Sequence, residues 1–302
     1  MKKTLVILGI VAGIVVLSVV GYGLHLFKSV SDTASEIHQP LEREGSLKRE
    51  TEVDVDKKEP LSFLIAGVDS EGETHAGRSD TIILLTVNPN KESIKMVSIP
   101  RDTRTEIVGR GTIEKINHAY AYGGVQMTVD TVENFLDVPI DHYVSINMEG
   151  FKGIVDALGG VTVNNEFAFS SGGDTFPEGE IFLTGDQALS YSRMRKQDPR
   201  GDFGRNDRQR QIVEAVIKEG AQIGSITRVG DILDAVGESV RTDLTLSEMW
   251  KIQSKYKEAR HSVEQLALFG PSQRIDGLSY VIISDEDREN MTKLLREHLE
   301  LE

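Results

Sequence analysis

LSFLIAGVD, at Leu61–Asp69, is an apolar run with the length of one buried β-strand, and it ends in a carboxylate. Two further apolar, β-rich segments follow at Thr81–Val87 and Ile94–Ile99. A glycine-containing loop at Ser70–Ser79 precedes the first of them, and the turn Asn88–Asn90 precedes the second. The sequence therefore predicts three successive strands, with the ends of the first two facing each other across a loop.

Downstream of these strands, helical and extended patterns alternate along the chain. The segments are a helix at Lys115–Leu136 interrupted by Gly123 and Gly124, a strand at His142–Asn147, a helix at Met148–Leu158 and a short strand at Val161–Val163. Further helices are predicted by capping boxes at Thr184/Gln187 and Thr245/Glu248 and by an N-cap at Ser284. Alternation of this kind is typical of α/β proteins. We predict a three-layer α/β/α sandwich with a central mixed sheet.

The N-terminus has the pattern of a membrane anchor. Lys2 and Lys3 precede an apolar run at Leu5–Leu26, which is long enough for one transmembrane helix at about 20 residues per crossing. A cleaved signal peptide is the alternative, but its apolar core is usually about 7 to 15 residues long. The positive-inside rule then places the remainder of the chain outside the membrane. In order, we predict a short cytoplasmic N-terminus (1–4), a transmembrane anchor (5–27), a solvated stalk (28–60) and one extracytoplasmic domain (61–302).

The composition excludes several classes of active site. The chain has 302 residues, a formal net charge of −14 and no cysteine, so it has no thiol nucleophile, thiolate metal site or disulfide. Its seven histidines form no H-E-x-x-H pair, and the chain has no G-x-S-x-G or Walker motif. The remaining groups for chemistry are carboxylates and arginines.

The arginines are concentrated in RMRKQDPRGDFGRNDRQRQ at Arg193–Gln211, which holds six arginines and one lysine against three aspartates. Asn206 is a predicted helix N-cap, which would place Arg205 and Arg208 at a helix N-terminus, where the helix dipole disfavours cations. A bound anion would resolve this conflict, because helix N-termini and guanidinium groups both bind phosphate. The segment indicates an oxyanion site, with a solvated charged loop and helix face as the alternative.

Two aspartates lie at the facing ends of the first two strands. Asp69 follows the first strand and Asp80 enters the second, so the chain could bring both carboxylates to one edge of the sheet. Oxygen ligands of this kind suit Mg²⁺, which commonly takes one or two carboxylates plus waters and substrate phosphates. The alternative is that both are turn or cap residues. Arg78, Arg101 and Arg104 fall at the same edge and would complete a phosphate cradle.

Five motifs resemble those of the LytR-CpsA-Psr family of Gram-positive cell-wall enzymes. They are FLIAGVDS at Phe63, RSDT at Arg78, SIPRDT at Ser98, KINHAYAYGG at Lys115, and SRMRK with GDFGRNDRQRQ at Ser192 and Gly201. The resemblance covers roughly residues 61–217, and it is closest to the subgroup that attaches wall teichoic acid to peptidoglycan. A membrane anchor with an external domain is also what this family shows.

The resemblance implies an enzyme that takes an anionic glycopolymer from an undecaprenyl-pyrophosphate carrier. It would transfer the polymer as a phosphodiester to the C6 hydroxyl of N-acetylmuramic acid in peptidoglycan and release undecaprenyl phosphate. It also implies Mg²⁺ as the cofactor, with Mn²⁺ as the alternative ion. The implied location is the cell membrane of a Gram-positive bacterium, with a single span and the catalytic domain outside.

The family's functional positions carry over motif by motif. Asp69 and Asp80 match its Mg²⁺ carboxylates. Asp202 matches its invariant acidic partner, and we interpret it as a general base or as an orienter of the arginines. With Arg193 and Arg195, Asp202 forms the predicted catalytic group. The predicted pyrophosphate-binding residues are Arg78, Arg101, Arg193, Arg195, Arg205 and Gln209.

The family also binds the prenyl tail of its substrate in an apolar tunnel within the domain. Each buried CH₂ group contributes roughly 0.8 kcal/mol, so a long tail requires a lined pocket. The apolar stripe Val125, Val129, Val132 and Leu136 is a candidate wall of this pocket, with ordinary core packing as the alternative.

Two other functions stay open at the level of sequence. A hydrolase of the lipid pyrophosphate would use the same site with water in place of the sugar hydroxyl. A regulator that binds nucleic acid would use the basic segment. The net charge of −14 and the predicted external location argue against nucleic acid as a partner.

Overall fold

The computed structural model describes residues 28, 30–43, 45–46, 48–70, 77–222, 232 and 235–301. Its strands are β1 (Leu61–Val68), β2 (Ser79–Asn88), β3 (Ser93–Ser98), β4 (Arg104–Ile107), β5 (Thr112–Lys115), β6 (His142–Ile146), β7 (Val161–Asn165), β8 (Phe169–Ser171), β9 (Asp174–Phe176), β10 (Gly179–Leu183), β11 (Val240–Thr242), β12 (Ser262–Ala267), β13 (Ser272–Ile275) and β14 (Leu278–Val281). Its helices are α1 (His118–Leu136), α2 (Met148–Ala157), α3 (Gly185–Arg193), α4 (Asp202–Gly220), α5 (Leu246–Tyr256) and α6 (Asp285–His298).

Six strands form the central sheet in the order β11–β6–β1–β2–β3–β12. β1 is antiparallel to β2 and β2 to β3, whereas β6 runs parallel to β1 and β12 runs parallel to β3. The sheet is therefore mixed, as predicted. The remaining strands pair into short two-stranded ribbons, which are β7–β10, β13–β14, β4–β5 and β8–β9.

Helices cover both faces of the central sheet. On one face, Leu64 of β1 packs with Val129 of α1 and Leu295 of α6. On the other face, Ile83 of β2 packs with Val213 of α4 and with side chains around α5. Because both faces are buried, β1 and β2 are near-continuous apolar runs rather than alternating ones. The predicted α/β/α arrangement is confirmed.

Helix α1 contains the interruption that its two glycines predict. Gly123 has φ −143° and ψ 23°, and Gly124 has φ 62° and ψ −151°, so neither residue is helical. Gly124 needs its positive φ to redirect the chain, and a side chain there would be strained. The longer second segment of the helix then lies flat on the central sheet.

Several of the described residues between 28 and 60 pack against the domain, and for these residues the prediction of a solvated stalk is wrong. Residues 30–37 are helical, and their apolar side chains, including Ile37, are buried against α5. Arg43 Nη1 lies 2.6 Å from a carboxylate oxygen of Glu133, whose side chain is 6% exposed. A polar composition predicts solvation, but it does not reveal that an arginine has a buried carboxylate to pair with.

Among the described residues, no helix is both long enough and apolar enough to cross a membrane. The predicted cytoplasmic N-terminus at 1–4 and the predicted anchor at 5–27 lie outside the described residues.

Candidate functional site

The two predicted metal-binding carboxylates lie at one edge of the central sheet. Because β1 and β2 are antiparallel, Val68 at the end of β1 pairs with Ser79 at the start of β2. Asp69 and Asp80 adjoin this pair, and the backbone N–H of Asp69 donates a hydrogen bond to the carbonyl of Arg78 at 3.0 Å. Both aspartates line one cavity of about 530 Å³.

Helix α3 brings basic residues to the same cavity. It begins at the predicted capping box of Thr184 and Gln187 and ends at Arg193. Arg193 and Arg195, which follows two residues later, both line the cavity. The helix start that the sequence predicts thus fixes where these two arginines emerge.

Helix α4 supplies the opposite wall and begins earlier than predicted. It starts at Asp202, after Gly201 at φ 60°, so the prediction of an N-cap at Asn206 is wrong. Gly201 adopts a positive φ that glycine tolerates, and this lets the loop turn into the helix before Asn206 is reached. The cavity-lining residues of α4 lie at intervals of four on one helix face and are Arg205, Gln209 and Val213.

Asp80 and Asp202 connect the arginines into one network. Arg101 Nη1 donates to Asp80 Oδ2 at 2.5 Å. Arg205 Nη2 donates to Asp202 Oδ2 at 3.0 Å, and Arg101 Nε lies 3.7 Å from the same oxygen. Arg195 Nη1 lies 3.5 Å from Asp202 Oδ1. Three guanidinium groups thus face two carboxylates, which leaves this network with an excess of positive charge.

Two guanidinium nitrogens in this network have no hydrogen-bond acceptor within the described part of the chain. They are the buried Nε atoms of Arg101 and Arg205. Burial lowers the pKa of Arg205; the carboxylates of Asp202 and Asp80 oppose this shift, and the positive charges of Arg101 and Arg195 add to it. A buried donor without an acceptor costs typically about 1–3 kcal/mol, so an oxyanion bound among these arginines would be stabilising.

The carboxylates at the cavity fit a magnesium ion that binds together with a phosphate ligand. Among the residues that the structure describes, no three or more His, Asp or Glu side chains group to hold a metal on their own. Asp69 and Asp80 supply two carboxylates, and Asp80 is shared with Arg101. That number suits Mg²⁺, which usually keeps several waters and completes its octahedron with substrate phosphates.

One part of the cavity wall is apolar. Its side chains come from β1, β6 and the helices around them, and are Ile65, Ile146, Met148, Phe151, Leu189, Met194 and Val213. The predicted lipid-pocket stripe is not among them: Val129, Val132 and Leu136 are fully buried between α1 and the sheet, and Val125 packs on that core. That prediction is wrong. Helical periodicity shows which residues share a face, but not whether the face meets a core or a cavity.

A buried ion pair fixes the loop between α3 and α4. Arg208 Nη1 lies 2.6 Å from Asp198 Oδ2, and the two side chains are 4% and 0% exposed. Arg208 Nη2 also donates to the carbonyl of Met194 at 2.5 Å. Gly204 lies so close that a Cβ there would be 1.8 Å from the Asp198 carboxylate. This contact holds the segment that carries Arg195 against α4.

The LytR_cpsA_psr family model matches residues 24–297 of the chain. The chain belongs to this family. The resemblance drawn from the five motifs is confirmed. The family match extends on both sides of residues 61–217, the range that the motifs cover.

Proteins of this family are similar to the chain over all or most of its length. A protein from Halalkalibacterium halodurans is 63% identical over 303 residues, covers 100% of both chains and is named polyisoprenyl-teichoic acid–peptidoglycan teichoic acid transferase TagU. A crystal structure from Enterococcus faecalis, of a protein described as a transcriptional regulator, is 39% identical with a TM-score of 0.75 and covers 83% of this chain and 91% of that one. The structure of TagT bound to LIIa-WTA is 32% identical with a TM-score of 0.75 and covers 87% of this chain and 100% of the other.

In this LytR-CpsA-Psr protein the cavity brings together most of the predicted site. The predicted residues that line it are Asp69, Asp80, Arg193, Arg195, Arg205 and Gln209. Arg101 and Asp202 join them through ion pairs. Arg78 is exposed and does not line the cavity, so its role as a ligand stays a prediction. Arg104 lies apart in β4, with its guanidinium 6.0 Å from the ring of Tyr280.

Other residues of the LytR-CpsA-Psr cavity were missed by sequence reasoning. Asn147 lines the cavity and caps α2 by accepting a hydrogen bond from the N–H of Gly150 at 2.9 Å. An asparagine directly before a predicted helix is the signal that could have found it. Ser170 and Ser171 come from the β8–β9 hairpin, whose strands have only three residues each and give no periodic signal.

Proposed function

We propose that this chain is a Mg²⁺-dependent phosphotransferase that moves wall teichoic acid from an undecaprenyl-pyrophosphate carrier to the C6 hydroxyl of N-acetylmuramic acid in peptidoglycan. One observation carries the proposal. Buried guanidinium donors that have no acceptor among the described residues meet two carboxylates at a cavity whose other wall is apolar. Such a site offers separate surroundings to the diphosphate and to the hydrocarbon of one ligand.

The coarser part of the proposal is supported by the relatives. The chain is an enzyme of the transferase class, since the Halalkalibacterium relative that spans it is named a teichoic acid transferase. That name also supports teichoic acid and peptidoglycan as the two substrates. The carrier lipid, the metal and the accepting hydroxyl are the finer parts that we add.

The apolar wall is where we place the prenyl tail. It lies between β1, β6 and α4 and includes Ile65, Ile146 and Phe151. Removing each CH₂ group of the tail from water contributes roughly 0.8 kcal/mol, so even part of a long tail would gain several kcal/mol. This wall replaces the α1 stripe as our candidate for the lipid pocket.

The diphosphate would lie between the carboxylates and the arginines. Arg101, Arg195 and Arg205 present guanidinium donors that match phosphate oxygens, and two of these donors have no acceptor in the part of the chain that the structure describes. Asp69 and Asp80 would hold Mg²⁺, which when bound neutralises charge on the non-bridging phosphate oxygens.

In the proposed reaction the C6 hydroxyl oxygen attacks the phosphorus on the polymer side of the diphosphate. A bond forms between the sugar oxygen and that phosphorus. The bond to the bridging oxygen breaks, and undecaprenyl phosphate leaves with its electron pair. The hydroxyl proton passes to a carboxylate or to water. Preorganised arginines stabilise the charge that develops on the phosphate oxygens.

Asp202 is placed to orient the arginines. Its Oδ2 accepts from Arg205, and its Oδ1 faces Arg195. Both oxygens are therefore engaged with guanidinium groups, which leaves little room for a substrate hydroxyl in this arrangement. The role of general base is the alternative, because catalytic hydrogen bonds often form only in the substrate complex.

The proposed location is the outer face of the cell membrane, with the domain attached through a single span at residues 5–27. The carrier lipid and the peptidoglycan acceptor both require this side. Nucleic acid is not a partner in this proposal, because a chain with a net charge of −14 would repel it over long range.

A transfer assay tests the proposed function against hydrolysis. Full-length protein in detergent would receive a lipid-pyrophosphate-linked polymer, with and without uncrosslinked glycan strands and with and without Mg²⁺. We expect a covalent polymer–glycan product by mass spectrometry, formed only when glycan and Mg²⁺ are both present. Release of free polymer phosphate at the same rate without glycan would instead identify a hydrolase.

A further inference from the structure

Beside the arginine network lies an aromatic pair, one ring half-buried and the other exposed, that the proposed site does not use. Phe203 and Phe269 pack with ring centroids 5.1 Å apart and planes inclined at 45°. Phe269 is 58% exposed, although a side chain of this size normally gains about 1.5–3 kcal/mol by burial. Neither ring lines the apolar cavity.

The exposed ring is held in place by its own loop. Leu268, the preceding residue, is 2% exposed in the core. Gly270, the next residue, lies so close to the carbonyl of Ile282 that a Cβ would be 2.1 Å from that oxygen. Pro271 then accepts a hydrogen bond from the N–H of Ile282 at 3.1 Å. The loop therefore presents Phe269 to solvent as a fixed platform and not as a frayed end.

The order of the strands places the aromatic pair on the far side of Arg101 from the apolar wall. That wall is built on β1 and β6, the carboxylates adjoin β1 and β2, Arg101 follows β3, and Phe269 follows β12. Leu268 N–H still bonds to Ser98 at the end of β3, so the two strand ends lie level. Neighbouring strands are about 4.8 Å apart, which puts β12 about 10 Å beyond β2, away from β6.

In phosphoryl transfer, the attacking and leaving oxygens lie roughly in line, on opposite sides of the phosphorus. In the proposed function, on which this inference rests, the leaving lipid phosphate belongs to the flank with the apolar wall. The attacking sugar hydroxyl must then approach from the flank of Phe203 and Phe269.

We propose that Phe203 and Phe269 form the subsite for the saccharide ring of the glycan acceptor. The C–H face of a pyranose is apolar and packs against a flat aromatic ring, while its hydroxyl groups stay in water or reach polar neighbours. A platform that is half open suits such a ring. It would suit a prenyl tail poorly, because one side of the tail would remain in water. The two phenylalanines are positioning residues that hold the acceptor hydroxyl toward the phosphorus.

Steady-state kinetics of the full-length protein with glycan strands and lipid-linked polymer would test this subsite. For Phe269→Ala we expect KM for the glycan to rise about tenfold, as fits the loss of one aromatic contact, while KM for the lipid donor changes less than about twofold. Phe269→Leu, which keeps apolar bulk without a flat ring, should show the same loss. Phe269→Trp should restore a glycan KM near that of the wild type.

Phe182 provides the matched control. It is 59% exposed, lies on β10 and does not line the cavity, so Phe182→Ala should leave KM for both substrates at the wild-type values. A glycan KM for Phe269→Ala within about twofold of the wild type would overturn the subsite, as would an equal rise in KM for both substrates. Absence of any covalent product from the wild-type protein would refute the proposed function itself, and is thereby distinguished from failure of the subsite.

Discussion

At Arg205, burial disfavours the charged guanidinium group, whereas the carboxylates of Asp202 and Asp80 favour it. Its side chain is 11% exposed, its Nε has no acceptor in the described part of the chain, and its positive charge lies near those of Arg101 and Arg195. A residue kept in this position without a ligand costs free energy, and a bound diphosphate would recover that cost. The same argument applies with less force to Arg101, which has Asp80 as a close partner.

Replacing Arg205 by lysine keeps the charge but removes the planar fork of donors. We expect Arg205→Lys to lower kcat/KM for transfer by about 10²-fold, because a single ammonium group cannot contact two phosphate oxygens in bidentate fashion. Arg274, which is exposed and donates to the carbonyl of Gly277, provides the control substitution Arg274→Lys. Equal activity of the two variants would contradict the role of Arg205.

The two roles considered for Asp202 predict different pH profiles. If Asp202 orients the arginines, Asp202→Asn should lower kcat/KM by about 10-fold to 10²-fold and leave the shape of the pH–rate profile unchanged. This is the result that we expect, because both of its oxygens face guanidinium groups. Loss of the acidic limb of the profile in the variant would show instead that Asp202 is the general base.

At the scale of elements, the segment from α3 to α4 depends on one ion pair. Arg208 of α4 reaches back to Asp198 and to the carbonyl of Met194, and Gly204 makes room for that contact. Burial alone would raise the pKa of Asp198, but the hydrogen bonds from Arg208 and Arg200 hold this pKa below its usual value. The ion pair therefore holds the loop in place, together with the charged side chains that the loop presents to the cavity.

Removing one member of this pair would leave the other charge buried alone. We expect Arg208→Met to lower the free energy of unfolding by about 3 kcal/mol, as for other broken buried pairs. Arg274→Met, at an exposed position, should change it by less than about 0.5 kcal/mol. Urea denaturation of the two variants measures both values. Similar stabilities would show that the Asp198–Arg208 contact does not fix the loop.

Sequence patterns predicted the elements better than the surfaces between them. The apolar runs at β1 and β2 and the box at Thr184 gave strand and helix positions, and these were enough to bring Asp69, Asp80 and Arg193 to one edge. The apolar wall could not be predicted, because cavity residues such as Ile65 are chemically the same as core residues. The start of α4 was missed because glycine carries no side-chain cap to recognise.

At the scale of the whole molecule, the edge of the central sheet orders the groups of the proposed reaction. The apolar wall on β6 and β1 comes first, followed by the carboxylates at β1 and β2, Arg101 after β3 and the aromatic pair beside β12. The C-terminal end of α6 packs at the opposite end of the sheet, where His298 is 3% exposed. The site and the end of α6 therefore lie at different ends of the same strands.

His298 predicts how stability of the whole fold depends on pH. Its ring nitrogens lie 2.7 Å from Thr86 Oγ1 and 2.9 Å from Ser93 Oγ, and burial, with the positive charges of Lys95 and Lys91, lowers its pKa to about 4. Below the usual histidine pKa of about 6.5, the unfolded chain takes up a proton that the folded chain does not. The contribution of His298 to stability is therefore fully present above pH 6.5 and decreases by about 3 kcal/mol as the pH falls toward 4.

Denaturation between pH 7.5 and pH 4.5 would measure this dependence. We expect the free energy of unfolding to fall less steeply with decreasing pH in His298→Gln than in the wild type, although the variant is less stable at neutral pH. Parallel curves would show that His298 does not contribute the pH dependence.

The central claim is that the arginines and the strand-end carboxylates together hold a diphosphate, and calorimetry with the full-length protein tests it most directly. The ligands would be a prenyl pyrophosphate and the prenyl monophosphate of the same chain length, each with and without Mg²⁺. We predict that the pyrophosphate binds at least about tenfold more tightly than the monophosphate in the presence of Mg²⁺, and that Asp69→Asn removes the Mg²⁺-dependent part of this difference. Equal affinities for the two ligands, unchanged by Mg²⁺ and by Asp69→Asn, would contradict the account.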